Sequence, residues 1–196
     1  MGSPELKGKV TLLDDVRETI GAALKAQKLS LNSKEPKEIL KAKELLMKAR
    51  EDVKAFNSET RSSLINGEMS VAHAYSTDAL QARKATGGKI DFIIPEEGAT
   101  LWIDNLAIPV NAPHIKEAYQ FIDFLLEPKV AASTVLSIFV APSNKEVMSL
   151  LPAEYQQNTS LFPNDSTLSK LEMMQDLGDA MVNYDRTWTE VKAGGQ

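Results

Sequence analysis

The spacing of apolar residues along this chain switches between two patterns, one typical of strands and one typical of helices. Short runs rich in β-branched residues are followed by stretches in which apolar residues recur every three or four positions, the spacing of one face of a helix. The first such pair is the run at residues 7–13 and the helical segment after Asp15, which places Ile20 and Leu24 on one face. Because neighbouring parallel strands need a helical crossover between them, this order predicts an α/β fold rather than a helical bundle.

The same pattern continues over the rest of the chain. Residues 37–56 carry apolar side chains at helical spacing with charges between them, which predicts one amphipathic surface helix. Gly67 and the pair Gly87-Gly88 are expected to end helices, as glycine does after a last turn. Further strands are predicted at residues 69–75, 90–95 and 101–110, and further helices at residues 60–66, 76–85, 116–126 and 130–138.

Composition narrows the function classes. The chain has 22 basic and 27 acidic residues and a formal charge of -5. It therefore offers no broad basic field, and we expect no nucleic-acid partner. The absence of cysteine excludes disulfides and thiolate metal sites. No apolar run approaches the roughly 20 residues of a membrane helix, and the Met1-Gly2-Ser3 start lacks the basic and apolar regions of a secretion signal, so we expect no signal peptide in this chain.

Two carboxylates open the first predicted helix. Asp15 and Glu18 are three residues apart and hence lie on one face at the helix N-terminus. An acid at the N-cap followed three residues later by Glu is the pattern of a capping box, which serves the first unpaired amides of the helix. The same two carboxylates could instead bind an ammonium group. The pattern leaves both interpretations open.

A tryptophan and an acid stand two residues apart in the predicted strand at residues 101–110. Alternate positions of a strand share a face, so Trp102 and Asp104 would present an aromatic wall beside a carboxylate, which suits a flexible organic cation. A core tryptophan with a solvated acid is the plainer interpretation, and the bare pattern favours it slightly. Tyr75, at the end of a predicted strand, is a third aromatic candidate whose plainer interpretation is core packing.

Patterns of enzymes are weak in this sequence. The two histidines, His73 and His114, stand in neither serine-protease nor metalloprotease spacing. The triplet Gly87-Gly88-Lys89 lacks the flanking residues of a phosphate-binding loop, and no run of acids has the alternation and central glycine of a calcium loop. We therefore expect no enzymatic activity, no catalytic residue, no metal site and no cofactor.

An ordered set of motifs adds a family resemblance. PELKGKVTLLDDVRE is followed by AFNS and an NGE turn, then by LWIDNLAIPVNAP, AYQFIDFLLEPKVAA and APSN. Together these motifs resemble the spermidine/putrescine-binding proteins of bacterial ABC importers, which belong to the type II periplasmic binding protein family. LWIDNLAIP followed by a helix with FIDFLLEP is the most specific part, and the resemblance runs over about residues 4–193.

The resemblance implies an architecture of two α/β lobes that close over a ligand by a hinge motion. Residues 4–101 and 145–196 would form the second, C-terminal lobe. Residues 102–144 would be a crossover segment of the first lobe, most of which precedes the point matching Pro4 in the relatives. The chain would then be the C-terminal portion of a protein that is periplasmic or lipid-anchored outside the cytoplasm.

The resemblance also implies a set of ligand-binding residues. It makes two acids amine ligands, gives an aromatic wall and a central amine partner, and puts a tyrosine where the relatives have a tryptophan. A ligand-contacting glutamine of the relatives falls at Gln175 or one residue before it, whereas Phe139-Val140 departs from a tyrosine of the relatives and leaves the cargo open. The implied ligand-binding residues are Asp15, Glu18, Tyr75, Trp102, Asp104 and Gln175.

The implied partners are a polyamine and the permease of an ABC transporter. Because residues 102–144 would normally pack on missing elements, we expect an exposed apolar surface there. A homo-oligomer, such as a domain-swapped dimer, or a complementing N-terminal fragment would cover it. We expect the truncated chain to bind polyamines weakly or not at all. A carrier of another small solute, such as an amino acid, a sugar derivative or a ferric complex, and an oligomerising structural module are the alternatives.

Overall fold

The computed structural model describes residues 4–194, which form two compact units. The first unit comprises residues 4–102 and 165–194, and the second comprises residues 103–164. The Met1-Gly2-Ser3 start, to which the expected lack of a signal peptide refers, lies outside the described residues. No helix in the described part of the chain has both the length and the apolar character needed to cross a membrane.

Regular structure is mainly helical. Three short 3₁₀ segments, at Pro4–Leu6, Lys145–Leu150 and Gly178–Ala180, join the longer elements. The strands are β1 (Val10–Leu12), β2 (Val53–Phe56) and β3 (Val71–Ala72). The helices are α1 (Val16–Lys25), α2 (Pro36–Ala49), α3 (Thr60–Ile65), α4 (Ser76–Ala85), α5 (Ile115–Leu126), α6 (Pro128–Ile138), α7 (Ala153–Gln156), α8 (Asp165–Leu168) and α9 (Met181–Ala193).

A three-stranded parallel sheet organises the first unit. Its order is β2-β1-β3, with Val10 of β1 opposite Val53 on one side and opposite Val71 on the other. Every residue of the central strand β1 is buried, as is usual where helices cover both faces of a parallel sheet. The predicted α/β class is confirmed.

The core of the first unit lies where α1, α2 and α9 pack against one another and against the sheet. Tyr184 of α9 is fully buried there, and its hydroxyl donates to the carbonyls of Leu31 at 3.3 Å and Ser33 at 2.7 Å. A buried phenol needs such partners because an unpaired polar group in an apolar core costs free energy. These bonds tie the loop between α1 and α2 to the C-terminal helix.

The second unit is helical and has a small core of its own. The buried phenol Tyr155 of α7 donates to the carbonyls of Val135 at 2.7 Å and Val140 at 2.8 Å, which joins α7 to α6. By contrast, α5 contains no buried residue. Its aromatic side chains Tyr119 and Phe121 are 60% and 57% exposed.

One predicted helix is too long. The helix expected at residues 37–56 ends at Ala49, and a tight turn leads into β2 at Val53. Apolar residues keep helical spacing from Ala49 to Val53, so the sequence pattern did not indicate that the helix ends at Ala49. Pairing of β2 with the buried strand β1 overrides local helix propensity here.

Two predicted strands are absent, and a third is shorter than expected. Residues 90–95 and 101–110 are irregular, although Thr100 forms one parallel bridge with Glu172. The β-rich composition of these runs does not suffice, because a strand also needs a backbone partner and these segments find no further one among residues 4–194. The strand expected at residues 69–75 is reduced to β3, whose Val71 is 44% exposed rather than buried.

Residues 145–164 share a compact unit with residues 103–144. Lys145–Leu150 packs on α6, and Tyr155 bonds to it. The expected division into lobes at residues 4–101, 102–144 and 145–196 stays a prediction.

Candidate ligand-binding site

Asp15 stands between the carboxyl end of β1 and the start of α1. Its backbone is extended, and its side-chain atom Oδ1 accepts hydrogen bonds at 2.8 Å from the amides of both Arg17 and Glu18. The N-cap interpretation of Asp15 is therefore correct. Both bonds use Oδ1, so among the described residues Oδ2 has no hydrogen-bond partner. Asp15 can cap the helix and still offer one oxygen to a ligand.

Glu18 does not complete the capping box. The residue is 4% exposed, and its carboxylate points to the segment just before residue 103, where the second unit begins. The indole N–H of Trp102 donates to Oε1 at 2.5 Å, and the hydroxyl of Thr100 donates to Oε2 at 2.9 Å. Trp102 itself stays 50% exposed. The structure thus brings the predicted acid and the predicted aromatic wall together.

Tyr75 joins the same cluster from the chain that follows β3, the parallel neighbour of β1. It is the N-cap residue of α4, it is 36% exposed, and its hydroxyl lies near the Glu18 carboxylate. Burial, together with the nearby charges of Glu18 and Asp15, raises the pKa of Tyr75 to about 12. The phenol therefore stays protonated and remains a donor over the physiological range.

The cluster carries negative charge. Burial raises the pKa of Glu18 and the charge of Asp15 raises it further, while the hydrogen bonds from Thr100 and Trp102 oppose that rise. The nearest cation in sequence, Arg17, is engaged elsewhere. No cation of residues 4–194 forms an ion pair with Glu18. An organic cation would compensate this charge, and an anion would be repelled.

Gln175 lies near the start of α1 through its backbone. Its amide donates to Oδ1 of Asn32 at 2.9 Å, and its carbonyl accepts from Nη1 of Arg17 at 3.0 Å. The same Asn32 oxygen accepts from Nη2 of Arg17, also at 2.9 Å. The Gln175 side chain is exposed, and its predicted role in ligand binding remains a prediction.

Asp104 lies in the second unit, is exposed, and follows Trp102 in irregular chain rather than in a strand. The argument that Trp102 and Asp104 share a strand face is therefore wrong, because these residues have no strand geometry. Its role as an amine partner rests on the family resemblance alone.

Sequence reasoning missed two residues of the site, Thr100 and Asn32. Neither belongs to an acidic or aromatic pattern, and each acts through side-chain hydrogen bonds to residues remote in sequence, Thr100 to Glu18 and Asn32 to Gln175 and Met173. No signal in the sequence marks such a contact. His73, predicted to be a packed side chain, lies beside Asp15, and burial lowers its pKa to about 4.

Metal-binding chemistry finds little support in this part of the fold. Among residues 4–194, no group of three or more histidine, aspartate or glutamate side chains could hold a metal ion. The Glu18 oxygens already accept hydrogen bonds from one indole N–H and one hydroxyl. The arrangement suits an organic cation better than a bare metal ion.

Comparison with known families places this site in context. A family model described as "Bacterial extracellular solute-binding protein" matches residues 1–163, more than half of the chain. The chain belongs to this family of extracellular solute-binding proteins. Its relatives are substrate-binding proteins of transport systems and not enzymes.

Two sequence relatives are named as polyamine-binding proteins. The chain is 37% identical over 192 residues to the spermidine/putrescine-binding periplasmic protein of Salmonella typhimurium, covering 97% of this chain and 55% of that protein. It is 35% identical over 195 residues to the putrescine/cadaverine-binding protein of Pseudomonas aeruginosa, covering 96% of this chain and 55% of that one. The chain thus spans little more than half the length of these relatives.

Solved structures agree with the fold. The spermidine/putrescine ABC transporter substrate-binding protein of Streptococcus pneumoniae, in complex with calcium and HEPES, has a TM-score of 0.87 and 26% identity. That match covers 99% of this chain and 60% of that one. A lipoprotein of Treponema pallidum has a TM-score of 0.81 and 26% identity, with 96% and 59% covered. The resemblance to type II periplasmic binding proteins is confirmed.

Proposed function

We propose that this chain belongs to a carrier that binds a linear polyamine of the spermidine or putrescine class. The observation that carries the proposal is the buried Glu18 carboxylate, which is ringed by Trp102, Tyr75 and Thr100 and has no cation partner among residues 4–194. A primary ammonium would supply the missing positive charge and could donate to Oδ2 of Asp15, which has no hydrogen-bond partner among residues 4–194. The half-exposed indole of Trp102 would cover the methylene groups and attract the charge.

The relatives support this choice of cargo over the alternatives. The names of two sequence relatives include putrescine, and each match covers nearly all of this chain. A negatively charged cluster disfavours an anionic sugar derivative. An amino acid or a ferric complex would need a group for carboxylate or metal coordination, which the described cluster does not offer. Delivery to an ABC permease from the periplasm follows for the whole protein by the same analogy.

Titration with paired ligands tests the cargo. Spermidine and putrescine should shift amide resonances around the start of α1, whereas 1,4-butanediol, which replaces the amines of putrescine by hydroxyls, should not. Glu18→Gln should abolish the effect. Glu68→Gln removes the same charge from an exposed position of the same unit and should leave it intact. Equal responses to putrescine and butanediol would overturn the proposal.

Affinity of the chain by itself should be weak. Trp102 is 50% and Tyr75 36% exposed, so a ligand held by this surface would keep much of its water and its conformational freedom would be poorly offset. Charge pairing is also weakened near solvent, where the effective dielectric is high. We therefore expect calorimetry to give a dissociation constant above the micromolar range for spermidine. Micromolar affinity for the isolated chain would contradict this expectation.

A second polypeptide is proposed to cover the apolar face of α5. Phe121 and Phe124 are three residues apart, hence on one face, and are 57% and 50% exposed on a helix with no buried residue. An apolar surface of this kind is typical of an interface. This second polypeptide would be another copy of the chain, packed directly or by exchange of a segment, or a complementing N-terminal fragment.

Sedimentation velocity across a wide concentration range tests the cover. Self-association that weakens when Phe121 and Phe124 are changed to serine would support a second copy. Assembly only when an N-terminal fragment is added would support complementation. A monodisperse monomer at all concentrations, with no response to such a fragment, would refute both.

A further inference from the structure

Thr100 contacts Glu18, although the sequence did not predict Thr100 as a residue of the site. Its hydroxyl donates to Oε2 of Glu18 at 2.9 Å, across 82 residues of sequence. The indole of Trp102 serves the other oxygen, Oε1. Each oxygen of the buried carboxylate therefore has a donor from the same short segment.

The backbone around Thr100 is fixed by pairing with a second segment. The amide of Leu101 donates to the carbonyl of Glu172 at 2.9 Å, and the amide of Glu172 donates to the carbonyl of Ala99 at 3.1 Å. The Glu172 carboxylate is in turn held by Lys25 at 2.7 Å and by Ser30 at 2.5 Å. The hydroxyl of Thr100 thus projects from an anchored position rather than from a free loop.

The hydroxyl of Thr100 opposes the cost of burying Glu18. Burial is the largest cause that raises the pKa of Glu18, and the Thr100 hydrogen bond is the largest cause that lowers it, ahead of the bond from Trp102. Trp102 is half exposed, whereas Thr100 is partly buried and its backbone is paired. Thr100 is therefore the steadier of the two donors.

We propose that Thr100 is a positioning residue of the binding site, whose hydroxyl keeps the Glu18 carboxylate charged and aimed while the site is empty. A carboxylate must be ionised before it can pair with an ammonium group. Without the hydroxyl, Glu18 would hold a proton at higher pH and would have to lose it on binding. The ligand-binding consequence rests on the proposed function, but the effect on the empty site does not.

The other charged and titratable groups that face Glu18 set the background for this test. Asp15 and Tyr75 act on it directly, and His73 and Asp78 act on those two residues. All four remain in place when Thr100 is changed. A difference between variants at Thr100 therefore reports the hydroxyl itself.

The empty site provides a direct measurement. The side-chain carboxyl carbon of Glu18 can be followed by carbon-13 NMR against pH, with its resonance assigned by its loss in Glu18→Gln. Thr100→Val keeps the branched shape but removes the donor, and it should raise the titration midpoint of Glu18 by about one pH unit. Thr100→Ser restores a hydroxyl and should return the midpoint to within about a third of a unit of the original.

An unchanged midpoint in Thr100→Val would overturn the inference, and so would a midpoint in Thr100→Ser that matches the valine variant. A purely structural role would lower the melting temperature without moving the midpoint, so both variants are also melted. If Thr100→Val does not fold, Thr100→Ala takes its place. The midpoint must then rise in Thr100→Ala and stay at its original value in Thr100→Ser.

The ligand gives a second, separable readout. At pH well above the midpoint, wild type and Thr100→Val should bind spermidine equally. Below both midpoints the valine variant should bind about tenfold more weakly, since one pH unit corresponds to a factor of ten. Equal affinities at low pH would count against the inference. If neither protein binds spermidine while the midpoints differ as stated, the proposed function fails and the role of Thr100 stands.

Discussion

Two substitutions of Asp15 separate its structural task from its proposed ligand-binding task. Asparagine keeps a side-chain oxygen for the amides of Arg17 and Glu18 but removes the charge, whereas alanine removes both. Asparagine and aspartate are about equally good N-caps. The free energy of unfolding should therefore fall only in Asp15→Ala, which loses the cap oxygen. Affinity for a cation should fall in both variants, because both lose the charge.

The magnitudes follow from the geometry of the cap. Both amides lie 2.8 Å from Oδ1 in a partly buried setting, so Asp15→Ala should lower the free energy of unfolding by about 1–2 kcal/mol. For a chain of this size that loss lowers the melting temperature by about 2–8 °C. Asp15→Asn should stay within about 0.5 kcal/mol of wild type.

Affinity for spermidine should not distinguish Asp15→Asn from Asp15→Ala, although stability should. Both should bind spermidine about threefold to tenfold more weakly, a discounted value because the site is open to solvent. Both should also lower the pKa of Glu18, since the charge of Asp15 raises it. Urea denaturation at equal m-values measures stability, and calorimetry measures affinity. Equal destabilisation by asparagine and alanine would refute the cap argument, and unchanged affinity in Asp15→Asn would refute the ligand role.

Three further outcomes test the fold. Burial lowers the pKa of His73 to about 4. As the pH falls below about 6.5, the unfolded chain therefore takes up a proton on His73 that the folded chain does not. The free energy of unfolding should drop by up to about 3 kcal/mol between about pH 6.5 and about pH 4. His73→Phe should show a smaller drop in urea denaturation between about pH 7 and about pH 5. Tyr184→Phe leaves two buried carbonyls without their donor and should cost about 1–3 kcal/mol in the same assay. Gly98→Ala should lower the free energy of unfolding by more than about 2 kcal/mol, because φ is +103° and an added Cβ would lie 2.1 Å from the carbonyl oxygen of Lys170.

Matched controls sit elsewhere in the chain. His114→Phe alters an exposed histidine and is the matched control for His73→Phe in the same assay. Tyr119→Phe removes an exposed hydroxyl and should cost less than about 0.5 kcal/mol. Gly87→Ala also meets a positive φ, but an added Cβ has open space, so its cost should be about 1 kcal/mol. A control that matches its test variant would show that the named contact does not carry the effect.

Several elements of the fold could be predicted from the sequence because their causes are local. The start of α1 follows from Asp15 as its cap, and the spacing of Ile20 and Leu24 gives its buried face. The end of α4 before Gly87-Gly88 follows from the tolerance of glycine for positive φ. Such features depend on a few neighbouring residues, so a sequence pattern contains them.

Other elements could not be predicted because their causes are not local. The boundary between α2 and β2 depends on pairing with β1, about forty residues away. Residues 101–110 have the composition of a strand but lack a partner beyond the bridge between Thr100 and Glu172. Backbone pairing is decided by where the chain returns, and no local pattern records that.

The candidate site shows the same division. The sequence by itself supplied the acids and aromatic residues of the site and the motifs that place the chain in a family. The tertiary structure alone decided that Glu18 leaves the capping box and joins Thr100 and Trp102, which are 82 and 84 residues further along the chain. The physical reason is that a buried carboxylate takes the donors that folding brings near it, whereas Asp15 already satisfies the helix amides.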